Sequence, residues 1–105
     1  MKTKIYTKGR LNDYEAFGVY DGKSVVVLKG SKISNKVASK INPVVIKKRS
    51  DKTLVSDSYV TLMDISFRSP STAAAFVTGN ISNGMRVWKV EEGMDLGKYK
   101  ENNNG

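Results

Sequence analysis

Residues 14–30 constrain this chain more than any other stretch. Tyr14, Ala16, Gly18 and Tyr20 alternate with Glu15, Phe17 and Val19, Asp21-Gly22 interrupts, and Lys23-Ser-Val-Val-Val-Leu-Lys-Gly30 follows. Asp-Gly between two β-rich runs predicts a hairpin, because a type I′ turn needs positive φ at both central residues. The continuous apolar run Val25–Leu28 reads as a central strand covered on both faces. An N-terminal strand near Thr3–Thr7 adds to the same sheet.

Two segments predict helices. Ser69 is placed to N-cap, Pro70 suits the first helical position, and Gly79 supplies a left-handed stop, so a helix over Ser69–Thr78 follows. Ala73, Phe76 and Val77 would face the sheet, with Ala74 and Ala75 permitting close approach. For Pro43–Val55 both periods compete. Asn42-Pro43 reads as a helix start and favours a helix with Ile46, Ser50 and Leu54 on its inner face, although Val-Val-Ile is strand-like. Asn83-Gly84 predicts a tight turn, Met85–Val90 a strand carrying Trp88, and Glu92-Gly93 a second turn before Met94–Leu96 returns. These elements make an α+β domain over residues 1–99, a mainly antiparallel sheet with one or two helices on one face, followed by a polar, disordered tail at 100–105.

Composition narrows function. The 105 residues contain no cysteine and no histidine, which removes disulfides, thiolate nucleophiles, serine-type triads and the usual zinc ligands. The charge is lopsided: residues 1–56 hold thirteen Lys+Arg and four Asp+Glu, net +9, against five and six, net −1, in residues 57–105. Nine of the bases fall between Lys23 and Lys52, with Asp51 the one acid there. Such asymmetry points to a polyanionic partner, or more plainly to a solvated lysine-rich face. The first ten residues carry no apolar run of signal-peptide type, and no apolar run approaches the roughly 20 residues of a membrane span. The expectation is a cytoplasmic protein with no membrane role.

No catalytic constellation assembles. Gly79-Asn-Ile-Ser-Asn-Gly84 has phosphate-loop spacing, but Met85-Arg86 follows where Lys-Ser/Thr is required. Asp13 with Asp21-x-Lys23 superficially fits a metal-dependent nuclease pattern, yet further carboxylates to hold the metal are missing and Asp21 is better explained by the turn. Glu91-Glu92, adjacent on a strand end, point opposite ways. The expectation is a protein that is not an enzyme and uses no cofactor. Gly30-Ser31-Lys32 reads either as a small anion-binding turn or as an ordinary strand end. Trp88 reads either as a stacking residue or as a core anchor.

Val25-Val-Val-Leu-Lys-Gly-Ser-Lys32, Phe67-Arg-Ser-Pro-Ser-Thr-Ala-Ala-Ala-Phe76 and Gly79-Asn-Ile-Ser-Asn-Gly84-x-x-x-Trp88-Lys89 together resemble a small family of unknown function. That family resembles modules appended to GIY-YIG-type nucleases and restriction-modification proteins. The resemblance spans about Phe17 to Leu96, with Met85 standing where a second aromatic is common. It implies a non-catalytic accessory domain that contacts DNA, with a protein-docking module on a nuclease or methyltransferase partner as the alternative. The residues expected to meet phosphate are Lys29, Ser31, Lys32, Lys36, Lys40, Lys47, Lys48, Arg49, Arg68, Ser69, Ser71 and Lys89. Of these, Ser69 and Ser71 would offer a helix N-terminus as an anion site, or serve only as ordinary capping residues.

Overall fold

The hairpin forms, but its turn is closed by a side chain rather than by two left-handed residues. In the computed structural model, which describes residues 2–102, Gly22 has φ of 101° while Asp21 is not in the positive-φ region. The Asp21 carboxylate instead accepts the N–H groups of Lys23 (2.9 Å) and Ser24 (2.6 Å). Asp21–Ser24 is therefore a four-residue Asx-type connection, which frees Asp21 from the positive φ a type I′ turn demands.

Four antiparallel strands follow one another across the sheet: β1 (Thr3–Lys8), β2 (Glu15–Tyr20), β3 (Val25–Val27) and β4 (Ile65–Phe67). Alternation sorts their side chains onto two faces. Ile5, Thr7, Ala16, Gly18, Tyr20, Val25, Val27, Ile65 and Phe67 are buried on the inner face. The outer face presents Lys4, Lys8, Glu15, Phe17 and Ser66 exposed and Tyr6, Val19 and Val26 half-buried. The apolar run at Val25–Leu28 is thus covered on one face only, contrary to expectation.

The helix α2 (Pro70–Thr78) forms as its end signals dictate. Ser69 Oγ accepts the Thr72 N–H at 3.2 Å, and Gly79 closes the helix at φ 76°. Every residue from Ala73 to Thr78 is buried, because the sheet covers one side of α2 and helix α1 (Pro43–Ser50) another. Phe76 meets Phe67 with ring centroids 4.9 Å apart. Asn42 caps α1, but the inward residue is Val45, fully buried, while Ile46 is 41% exposed. The expected Ile46–Ser50–Leu54 face is corrected: the helix stops at Ser50, and Val45 and Arg49, one turn apart, make the contact.

Residues 84–90 depart furthest from expectation. Gly84–Val87 is a single helical turn, α3, capped by Asn83 through the Met85 N–H. Gly84 lies so close to α2 that a Cβ there would sit 2.1 Å from the carbonyl carbon of Pro70. Ser71 Oγ accepts the Gly84 N–H at 3.0 Å, and Trp88, fully buried, donates its indole N–H to the Pro70 carbonyl at 3.1 Å. A four-residue turn is too short to show a period, which is why alternation suggested a strand. Only Lys89 pairs in strand fashion, with Tyr6 at the edge of β1 on one side and with Asp95 on the other. The Glu92-Gly93 turn forms, and helix α4 (Leu96–Asn102) then includes Lys100–Asn102, assigned by sequence to a disordered tail. The rest of that tail, 103–105, lies outside the described residues. Among the described residues no helix is long and apolar enough to cross a membrane.

Replacing Trp88 with Phe keeps most of the buried area but removes the indole N–H that the Pro70 carbonyl accepts. The expected cost is about 1–3 kcal/mol, read as a lowered urea midpoint by circular dichroism with an unchanged native spectrum.

Candidate nucleic-acid interface

Several groups expected to meet phosphate are engaged inside the fold. Ser31 is fully buried; its hydroxyl donates to the Leu28 carbonyl at 2.8 Å and accepts the Phe17 N–H at 3.0 Å. Thr61 completes this lock, accepting the Ser31 N–H and donating to the same Leu28 carbonyl, each at 2.9 Å. The Gly30–Lys32 turn therefore joins strands and does not present a hydroxyl to solvent, which corrects the anion-turn reading of Ser31. Ser69 is occupied by Thr72 and Ser71 by Gly84. Arg49 points inward, where its guanidinium donates to the Phe76 and Ser34 carbonyls and, at 3.4 Å, to that of Lys36. Burial pulls its pKa below the ordinary guanidinium value, with Tyr59 acting in the opposite sense. Arg49 clamps α1 to the end of α2 and to the 34–36 loop, and is not a surface cation.

Three of the remaining expected cations, Lys48, Arg68 and Lys89, line two hollows. The first, about 350 Å³, lies where the start of α1 meets β4 and the start of α2. Lys48 and Arg68 line it with the polar side chains of Asn42, Ser66 and Thr72, and no carboxylate lines it among the described residues. Lys48 is held in place by the Phe67 ring, its ammonium 5.7 Å from the centroid. The second, about 340 Å³, opens along the free edge of β1 and is lined by Tyr6, Lys8, Tyr14, Arg86 and Lys89, again without a carboxylate among the described residues. Lys89 is steadied by the Arg86 carbonyl at 2.9 Å.

The two hollows absorb Lys48, Arg68 and Lys89. Lys32 lies on the outer sheet face, beside Glu15, with its ammonium on the Asn12 carbonyl at 3.1 Å. Lys29, Lys36, Lys40 and Lys47 are exposed but line neither hollow, and Lys52 is taken by Asp57 at 2.7 Å. The basic stretch is thus dispersed by the fold. The Asp21 carboxylate of the nuclease-like pattern serves the hairpin turn, and the N–H groups of Ser24 and Lys23 hold it below the usual carboxylate range. Sequence reading missed Tyr6, Lys8, Tyr14 and Arg86 as lining residues. For the β1 residues a signal existed, since Lys4, Tyr6 and Lys8 recur with strand period; for Arg86 there was none, because α3 was read as a strand.

The sequence matches the family described as "Domain of unknown function (DUF4357)" over residues 5–100. The chain belongs to the DUF4357 family. The DUF4357 match runs from within β1 into α4, so both hollows and the contact of α2 with α3 and Trp88 fall inside it. Comparison with curated proteins and with solved structures returned no significant match.

Arg49→Ala removes the donors from three carbonyls at once, and the expected loss is about 2 kcal/mol or more of folding stability. Lys47→Ala, on the exposed side of the same helix, should leave the urea midpoint unchanged. Equal midpoints for the two variants would refute the clamp.

Proposed function

We propose that this DUF4357 domain is a non-enzymatic DNA-binding accessory module that grips the phosphate backbone. The observation that carries this reading is the acid-free hollow at the start of α2, where Lys48 and Arg68 stand beside the hydroxyls and amide of Ser66, Thr72 and Asn42. Cations with neutral hydrogen-bonding neighbours suit a phosphate, and the absence of a lining carboxylate removes the usual competitor for the cations. The excess of Lys+Arg over Asp+Glu, net +8, supports electrostatic attraction of a polyanion at longer range. Lys40 and Lys47, both exposed and close in sequence to the lining residues Asn42 and Lys48, supply further sequence-independent attraction. The resemblance to modules carried by GIY-YIG-type nucleases and restriction-modification proteins gives such binding a purpose: holding a catalytic partner on its substrate inside the cell.

A second reading has its own support. Val37, Ile46 and Tyr59 are 52%, 41% and 40% exposed and line one cleft of about 380 Å³. Exposed apolar side chains set among the polar Asn35, Ser50, Ser56 and Asp57 suit docking on a protein such as a nuclease or methyltransferase.

Duplex DNA binding measured by fluorescence anisotropy should weaken with salt. Neutralising about five phosphates gives a slope of log K against log salt near −4.5. Lys48→Ala with Arg68→Ala should lower affinity at least tenfold and reduce that slope by about 2, with the circular dichroism spectrum retained. A salt-independent affinity, or none at low salt, would refute the proposal. Capture of one nuclease or methyltransferase partner, lost on Ile46→Glu, would favour the second reading.

A further inference from the structure

The outer face of the sheet holds an arrangement that backbone gripping does not use. The register places Phe17 directly opposite Tyr6, and Lys89 opposite Tyr6 on its other side, so Lys89, Tyr6 and Phe17 form one row across the sheet. Residues directly opposite one another share a face with Cβ atoms about 5 Å apart. Lys4 and Lys8 stand two residues either side of Tyr6, about 7 Å along β1, and Lys8, Glu15 and Lys32 form the adjoining row. Phe17 is 47% exposed at the centre of this face. Its backbone is fixed, with the N–H on Ser31 Oγ and the carbonyl accepting the Leu28 N–H at 2.8 Å. An exposed phenylalanine on a rigid central strand, ringed by four lysines, has no role in the core.

Acids share this neighbourhood: Glu15 stands opposite both Lys8 and Lys32, and Asp95 opposite Lys89, yet among the described residues none of these lysines forms an ion pair. Glu15 lies within the adjoining row. Asp64 and Asp95 sit at the two lateral margins, where each carboxylate accepts a backbone N–H, that of Lys29 at 2.9 Å and of Lys98 at 2.8 Å. Four ammonium groups around two aromatic rings are complementary to a chain with anionic links and flat apolar faces. In a duplex those faces are stacked on one another and closed to a side chain, whereas a single strand presents them.

We infer that the outer sheet face binds single-stranded nucleic acid, with bases stacking on Phe17 and Tyr6 and phosphates meeting Lys4, Lys8, Lys32 and Lys89. The inference rests on the reading of this domain as a nucleic-acid binder and adds the form of its ligand, unpaired strand. The hollow at Lys48 and Arg68 lies at the junction of α1, β4 and α2, so the two contacts can be separated by mutation.

The test measures anisotropy of a labelled oligothymidine of about 15 nucleotides, a length near the upper end of single-strand site sizes, and of a labelled duplex, with the full chain at fixed salt. Phe17→Ala should weaken oligothymidine binding about tenfold or more and leave duplex binding unchanged, while Lys48→Ala with Arg68→Ala should weaken duplex binding. Phe17→Tyr should restore the single-strand affinity, which a merely electrostatic contact would not require. Duplex binding with Phe17→Ala neutral on oligothymidine would overturn the inference and leave the backbone-gripping proposal standing. Oligothymidine binding that depends on Phe17, with no duplex binding, would support the inference and refute the gripping proposal. A concentration-dependent dimer in sedimentation, abolished by Phe17→Ala without any single-strand binding, would assign the face to a second copy of this chain and overturn the inference.

Discussion

Everything in this fold is referred to the point where the start of α2 meets Gly84 and Trp88. Pro70 stands in the first turn of α2, where its carbonyl, an acceptor with two lone pairs, also takes the Trp88 indole N–H. Ser71 accepts the Gly84 N–H, and the missing Cβ of Gly84 lets the two backbones touch. The Gly84 N–H and the Trp88 indole N–H thus find acceptors where each would otherwise be buried unpaired. The contact joins α2, which floors the sheet, to α3, which delivers Lys89 to the edge of β1 and leads into α4.

This arrangement also accounts for the spacing of the Ser-Pro-Ser, Asn-Gly and Trp residues in physical terms. They are not a ligand-binding signature laid along the chain but two halves of one contact. Ser69 and Asn83 cap the two helices that meet there, Pro70 and Gly84 set the approach, and Ser71 and Trp88 supply the hydrogen bonds. The polar residues here act on the fold.

Much of the architecture was legible because its signals are local. The Asp21 turn, the Ser69-Pro70 start and the Gly79 stop each follow from side-chain hydrogen bonding or backbone freedom within four residues. What was illegible depends on distant partners. Arg49 looks like one more base in a basic run until the Phe76 and Ser34 carbonyls are brought to it, and Ser31 looks available until Phe17 and Thr61 close over it. The inward side of α1 was misjudged because Ile46 is the more apolar-looking choice, yet it is Val45 that shares a face with Arg49. A +9 half-chain is a statement about order along the sequence, and the sheet register, by placing Lys4, Lys8, Lys32 and Lys89 around Phe17, regroups its charges with one from the other half.

The clamp at Arg49 has a consequence for how the molecule meets its surroundings. Its acceptors are main-chain carbonyls, which carry no proton to gain or lose, and a guanidinium stays charged throughout the range in which proteins function. The contact holding α1 to α2 is therefore indifferent to acidity, and its partly buried site exposes it little to dissolved ions. The cations of the two hollows and the outer sheet face are in the opposite condition, open to counterions. Ionic strength thus divides the charges of one small domain: under the proposed DNA-binding reading it would set how long a polyanion stays, while the Arg49 contact that holds α1 to α2 is left as it is.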